Sequence, residues 1–133
     1  AQVALMSIRV CTLATSFVAL LLGACATDTM KSGETRTVKD QVIAPFEFHE
    51  ECMTLATGDR IDYRFESSSL LDFDIRYREG SALISTISRN DARADSGVFL
   101  SPLVRRYCTH WQTGPKGAIL DYQLRLLPAS APR

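Results

Sequence analysis

The sequence predicts an all-β fold, an antiparallel β-sandwich of about seven strands that carries one disulfide bond. Apolar and polar residues alternate with a period of two over much of residues 41–128, which is typical of strands with one face in a core and the other in water. Short pieces rich in Gly, Ser, Asn and Pro interrupt this alternation, as turns do. Since no window shows a convincing helical period, the strands are expected to pack as two layers.

Residues 1–24 predict a lipoprotein signal peptide. Met6 is the preferred start, because residues 6–9 (MSIR) supply a short cationic region before an apolar run over 10–22. That run is shorter than the roughly 20 residues that a helix needs to cross a bilayer. It closes on Leu-Gly-Ala-Cys at residues 22–25, which resembles the lipobox of bacterial lipoproteins.

The lipobox resemblance implies cleavage before Cys25, a diacylglycerol on its thiol and an acyl chain on its freed amine. Several acyl chains anchor a protein stably where a single chain does not. The next residue is Ala26, not the aspartate that resembles an inner-membrane retention signal. The expected location is therefore the periplasmic face of the envelope, at the outer membrane of a Gram-negative bacterium. The alternative is an ordinary cysteine after a secretory cleavage site.

The rest of the chain divides into a tether, a domain and a tail. Residues 25–40 hold Thr, Ser, Gly and mixed charges and predict a flexible tether; the β-sandwich is expected over 41–128 and a tail over 129–133. The expected strands are 42–49, 60–66, 71–78, 82–88, 97–100, 104–111 and 119–127. The serines at 67–69 are either the turn of a hairpin in which Phe65 faces Phe73, or an arch between the two sheets. Residues 90–97 are expected to be a turn.

Two of the four cysteines are expected to form the disulfide. Cys11 leaves with the signal peptide and Cys25 takes lipid, so Cys52 and Cys108 remain to pair in an oxidising compartment. Closing a loop of about 57 residues removes denatured-state entropy worth roughly 4 kcal/mol. The alternative, a reactive thiol near His110, lacks the Cys-X-X-Cys motif of a redox pair.

A zinc or copper site is an alternative use of the polar residues beside the cysteines. The candidate ligands are His49, Glu50, Glu51 and His110, and two His with a carboxylate can hold either metal. Against this, His49 and Cys52 are three residues apart, which puts them on opposite faces of a regular strand. Solvated polar residues at a strand end are the simpler interpretation, and no cofactor is expected.

Aromatic and basic residues are further candidates for a ligand site. The aromatic residues at alternating positions are interpreted as core more readily than as the lining of a groove; they are Tyr63, Phe65, Phe73, Tyr77, Tyr107 and Trp111. Arg105 and Arg106 predict either a solvated face or contact with an anionic ligand or lipid headgroup. Fifteen basic and fifteen acidic residues cancel without forming blocks, so no nucleic-acid binding is expected.

Residues 46–127 resemble the GOLD domain, the β-sandwich of p24-type secretory-pathway proteins. The features that carry the resemblance are Cys52 after a Phe-containing strand, Gly58 before the strand over 61–65, Gly-Val-Phe at 97–99, Tyr107-Cys108 followed by Trp111, and a last strand with Leu124 and Leu126. The resemblance implies a jelly-roll or GOLD-like sandwich, a disulfide between an early and a late strand, and a binding module. The coiled coil, membrane helix and cytoplasmic tail of p24 proteins have no counterpart in this sequence, so their cargo-sorting role is not carried over.

The leading functional prediction is a lipid-anchored periplasmic binding module without catalytic activity. Its partner would be an envelope protein or a small ligand, in addition to the membrane reached through Cys25. The sequence has no recognisable Ser, His and acid arrangement and no glycine-rich phosphate loop. The alternatives are a metal-binding envelope protein that uses His49, Glu50 or Glu51, and His110, and a structural envelope lipoprotein with no dedicated ligand.

Overall fold

The computed structural model describes residues 29–130, and these form six strands. Their bounds are β1 Thr35–Ile43, β2 Phe48–Leu55, β3 Arg60–Glu79, β4 Ala82–Leu100, β5 Arg105–Thr113 and β6 Ala118–Leu127. Every pairing is antiparallel, which confirms the predicted fold class with one strand fewer than expected. Within residues 29–130 no helix has the length and apolar character needed to span a membrane. The predicted signal peptide and Cys25 lie outside the described residues.

The six strands form one curled sheet whose two halves face each other. The order of its main path is β1-β6-β3-β5-β2, and β4 pairs along β3. Residues 60–67 of β3 pair with β6, whereas residues 71–77 pair with β5. The first layer therefore contains β1, β6, the first part of β3 and the last part of β4. The second layer contains β2, β5, the last part of β3 and the first part of β4.

The serines at 67–69 form the predicted arch, and the alternative hairpin is wrong. The predicted strands 60–66 and 71–78 are two parts of the single strand β3, which passes from one layer to the other. Phe65 and Phe73 are consequently not register partners in a hairpin. Their rings meet across the layers instead, with centroids 4.8 Å apart.

Three predicted boundaries are also corrected. Residues 35–40, expected in the tether, lie in β1, and the predicted strand 42–49 contains a tight turn at 44–47 between β1 and β2. Residues 90–97, expected to be a turn, lie inside β4, where Asp91 has a φ of 51°. Both β1 and β4 are edge strands and are largely exposed. Neither therefore has the regular alternation of apolar residues by which a strand is predicted from sequence.

The core lies between the two layers and is built around Trp111. Its ring centroid lies 4.7 Å from that of Tyr122, 5.4 Å from Phe73 and 6.2 Å from Phe65. The six aromatic residues named from the sequence are therefore core residues, with Tyr77 half-buried at its margin. Met30 also packs against this core and is only 3% exposed, so the segment before β1 contributes to the core.

The sandwich has two ends, which we name by the loops they carry. The turn end holds the loops 44–47, 68–70 and 114–117. There Phe46 donates its backbone N–H to the Gly114 carbonyl at 3.0 Å, and Ser69 Oγ donates to the Gly117 carbonyl at 2.6 Å. These bonds bring all three loops together at that end.

The N-terminal end holds the segments 31–34, 56–59, 101–104 and 128–130. Gly33 donates to the Leu126 carbonyl and Gly58 to the Ser101 carbonyl, each at 2.8 Å. Asp59 links the last segment, because its Oδ1 accepts the Ala129 N–H at 3.1 Å. The point at which the chain enters the domain thus lies at the same end as the loop between β4 and β5.

Candidate functional site

The predicted disulfide between Cys52 and Cys108 is confirmed. The two residues are direct register partners in β2 and β5, with Cα atoms 4.0 Å apart. Both are half-buried on the outward face of the second layer, away from the core row of Met53 and Tyr107. The bond links the edge strand β2 to β5 on the outward face of the layer. Since neither sulfur is a free thiol, the reactive-thiol alternative is wrong for these two residues.

The four candidate metal ligands do not form one site. His49 and Glu51 point into the sandwich, whereas Glu50 points outward beside its register partner His110. The prediction of a shared zinc or copper site is wrong because consecutive residues in a strand alternate between its faces. In residues 29–130, the potential ligands that converge are Glu50 and the two cysteines, and those sulfurs are bonded to each other.

The outward pair belongs to a charged cluster on the second layer. Arg76 Nη2 lies 2.7 Å from His110 Nδ1 and 3.3 Å from Glu50 Oε2, while His110 Nδ1 lies 3.0 Å from the same Glu50 oxygen. Nδ1 either accepts from Arg76 or, when protonated, donates to Glu50, and it cannot do both. Phe48 stacks on the imidazole with ring centroids 4.9 Å apart. Each of the three polar groups of the cluster thus has a partner within it.

The inward pair belongs to a partly buried chain of hydrogen bonds that joins the two layers. Arg36 Nη1 donates to Glu51 Oε2 at 2.7 Å, and the Tyr122 hydroxyl donates to Glu51 Oε1 at 2.7 Å. Because that hydroxyl proton is used, His49 Nε2, 2.9 Å from the Tyr122 oxygen, carries the proton of its own bond. Burial lowers the pKa of His49 against the opposing charge of Glu51.

This chain of hydrogen bonds closes the open side of the sandwich between the edge strands β1 and β2. Both oxygens of Glu51 have donors, and His49 lies against the Trp111 ring with centroids 5.8 Å apart. The arrangement holds the layers together and leaves no carboxylate oxygen without a donor. Sequence reasoning missed Arg36 because it lay in the predicted tether, although its even spacing from Val38 matches one strand face.

The most unusual backbone at the turn end is the loop that follows β1. Glu47 donates its N–H to the Ala44 carbonyl at 3.1 Å, and Phe46 has a φ of 60°. A proline at the second position and positive φ at the third define a type II turn, where the third residue is ordinarily glycine. Here a phenylalanine occupies it, with 71% of its surface exposed. Such a conformation costs a bulky residue on the order of 1–3 kcal/mol.

The turn is fixed by the end of β5. Thr113 Oγ1 lies 2.7 Å from the Ala44 carbonyl oxygen and accepts the Glu47 N–H at 3.2 Å. The backbone N–H of Thr113 donates to the Glu47 carbonyl at 2.9 Å, and Gly114 receives the Phe46 N–H. Thr113 itself is buried. The ring of Phe46 is therefore carried by a backbone with few conformations available to it.

Other exposed apolar side chains lie at the same end of the sandwich, on the outward faces of its two layers and in the arch. Val42 and Ile119 are register partners on the outward face of the first layer, and both are exposed. Phe48 is exposed at the start of β2, and Leu70 is exposed in the arch. We call these four residues and Phe46 the turn-end patch. Sequence reasoning missed it because Pro45 was absorbed into a predicted strand, although a proline inside a strand is itself a turn signal.

Comparison with known proteins places the chain by its fold. No family model and no curated protein matches it, so neither comparison supports the lipobox or GOLD resemblance. A similar solved structure is Aeromonas hydrophila PliG, a periplasmic lysozyme inhibitor of g-type lysozyme, with a TM-score of 0.56 and 8% identity over 73% of this chain and 90% of that chain. The likeness is one of fold. A de novo designed double-stranded β-helix matches with a TM-score of 0.39 and 13% identity, over 70% of this chain and 97% of the design.

Proposed function

We propose that this protein is a non-catalytic binding protein of the cell envelope, anchored by lipid at Cys25, whose turn-end patch contacts a protein partner. The observation that carries the proposal is Phe46. A glycine would satisfy the type II turn with less strain, so the exposed ring contributes to something other than the fold of this chain. Strain held at an exposed position is a feature of binding sites.

The shape of the turn favours a concave protein surface as the partner. A single aromatic ring projects from a tight turn whose backbone is fixed by Thr113 and Gly114. Rigid aromatic residues of this kind act as interface anchors, because little conformational entropy is lost when they bind. The apolar neighbours Val42, Phe48 and Ile119 would form the rim of such a contact.

The first candidate partner is a lysozyme-type enzyme that cleaves cell-wall glycans. PliG shares this fold and inhibits a g-type lysozyme. PliG and this chain share a fold, and the feature of this chain that fits a protein contact is Phe46. The periplasmic setting of PliG and the disulfide of this chain both fit an oxidising compartment outside the cytoplasm.

The test compares wild-type protein with Phe46→Gly, which removes the ring and keeps the turn. Binding to a g-type lysozyme is measured by calorimetry, and envelope proteins are recovered in parallel by cross-linking. An anchor residue contributes about 2 kcal/mol or more, so the variant should bind roughly 30-fold more weakly. Leu83→Ala, at an exposed apolar residue of the β3–β4 hairpin, is the matched control and should bind like wild type.

Stability of the same variant separates binding from folding. Relief of about 1–3 kcal/mol of strain at position 46 is opposed by about 1 kcal/mol for the greater flexibility of glycine, so the unfolding free energy of the variant should equal that of wild type or exceed it by up to about 2 kcal/mol. Equal binding by wild type and Phe46→Gly would contradict the proposed patch. Recovery of no protein above background would contradict the binding role and favour the structural envelope lipoprotein.

A further inference from the structure

We propose that the N-terminal end of the domain lies against the membrane surface, with the loop 101–104 in contact with lipid headgroups and the outer part of the acyl chains. The inference rests on the lipid anchor included in the proposed function. It adds an orientation and a second contact surface, which the anchor alone does not specify.

The distance between the anchor and the folded domain is short. The predicted tether extended to residue 40, but Met30 is already buried in the core and Gly33 is bonded to the last strand. Five residue steps separate Met30 from Cys25, and a fully extended chain of that length spans at most about 18 Å. A lipid on Cys25 therefore holds the N-terminal end close to the bilayer.

The loop 101–104 lies within the area that this restriction brings to the membrane. Arg60 pairs with Leu100 on one side and with Leu127 on the other, and Leu126 accepts the bond from Gly33. The chain entry on β1 and the end of β4 are thus three strand spacings apart, about 14 Å. That separation is smaller than the reach of the anchor.

The chemistry of this loop suits the boundary between headgroups and acyl chains. Leu103 and Val104 are 47% and 60% exposed, and Leu100 before the loop is exposed as well. Arg105 and Arg106 follow directly, and Arg106 is exposed. Apolar side chains beside guanidinium groups bind anionic interfaces by burying apolar area and by pairing with phosphates.

The loop is also held in shape, so its apolar side chains stay exposed in the folded protein. Ser101 Oγ donates to the Leu103 carbonyl at 2.7 Å, and the Tyr107 hydroxyl donates to the same oxygen at 3.1 Å. Ser101 donates its backbone N–H to the Asp59 carbonyl at 2.8 Å. A lipid surface is favoured over a protein partner as the occupant, because the anchor holds this end close to the membrane.

The experiment uses full-length protein, processed in bacteria and reconstituted in vesicles of phosphatidylethanolamine and phosphatidylglycerol. Tryptophan is introduced by Val104→Trp and, as the matched control at the turn end, by Ile119→Trp; both sites are exposed, and Trp111 is a buried background common to both. A phosphatidylcholine with brominated acyl chains then serves as a short-range quencher. The added emission of Val104→Trp should fall about twofold, and that of Ile119→Trp should not change.

The intact mass of the same samples reports the acyl chains. Acylated protein with an unquenched tryptophan at 104, or with equal quenching at both sites, overturns the orientation and leaves the anchor standing. Protein without acyl chains overturns the anchor and the orientation together. Leu103→Trp repeats the measurement if Val104→Trp fails to fold, and it carries the same expectation.

Discussion

Removing the disulfide tests how this small sandwich is stabilised. Cys52 and Cys108 lie on the outward face of the second layer, so the double change to alanine leaves the core rows of β2 and β5 intact and creates no core cavity. The cysteines are 56 residues apart. The chain-entropy relation for a loop of that length gives roughly 4 kcal/mol at 25 °C. Domains of this size unfold with about 5–15 kcal/mol, so the loss is a large part of the total.

The assay is urea unfolding followed by the fluorescence of Trp111, which is fully buried in the folded protein. With a urea dependence of about 1–2 kcal/mol per molar, the midpoint should fall by roughly 2–4 M. Wild-type protein with its disulfide reduced should behave like the alanine variant. Thr54→Ala, on the same outward row of β2, is the control and should leave the midpoint unchanged. A double variant within about 1 kcal/mol of wild type would refute the entropic account of the disulfide.

Two further expectations concern the half-buried His49 and one glycine. Burial lowers the pKa of His49 in the folded protein below its ordinary value of 6.5. Near and below that pH the unfolded state therefore binds more protons than the folded state. The free energy of unfolding should fall as the pH is lowered from 7 to 5.5, by at most about 1.4 kcal/mol per pH unit. His49→Gln should have a flatter profile in urea titrations at each pH, and an unchanged slope would contradict the assignment. A Cβ on Gly117 (φ 62°) would lie 2.6 Å from the Ile43 carbonyl oxygen, so Gly117→Ala should cost about 2–4 kcal/mol. Gly80 has a similar φ of 61° with open space around it, so Gly80→Ala should cost only about 1–2 kcal/mol; equal midpoints would contradict the clash.

The strands that sequence reasoning located well are those with one face in the core. Alternation at Tyr63, Phe65 and Phe73 in β3, and at Trp111 in β5, follows the pleat because each inward position is apolar. The edge strands lack this alternation of apolar residues. In β1 an inward position is filled by Arg36, whose charge is satisfied by Glu51, and so the sequence of this strand resembles a tether.

The candidate sites divide in the same way. Counting cysteines identified the Cys52–Cys108 pair, because in an oxidising compartment an even number of remaining thiols predicts pairing without knowledge of the fold. The metal site failed because residues 49–51 alternate between opposite faces of one strand. Phe46 could not be identified as special from composition, since its importance lies in a φ of 60° that only the folded turn requires.

The free edge of β1 has a consequence for how neighbouring copies of this protein meet. Its pairing with β6 shifts between Val38 and Gln41, and Asp40 has a φ of 56° there. The Asp40 N–H turns inward to the carboxylate of Asp121, at 2.8 Å, which lowers the pKa of Asp121. A neighbouring molecule therefore meets an interrupted ladder and cannot add its own strand in register. Where copies of this domain are crowded together, the irregular edge opposes strand-to-strand polymerisation.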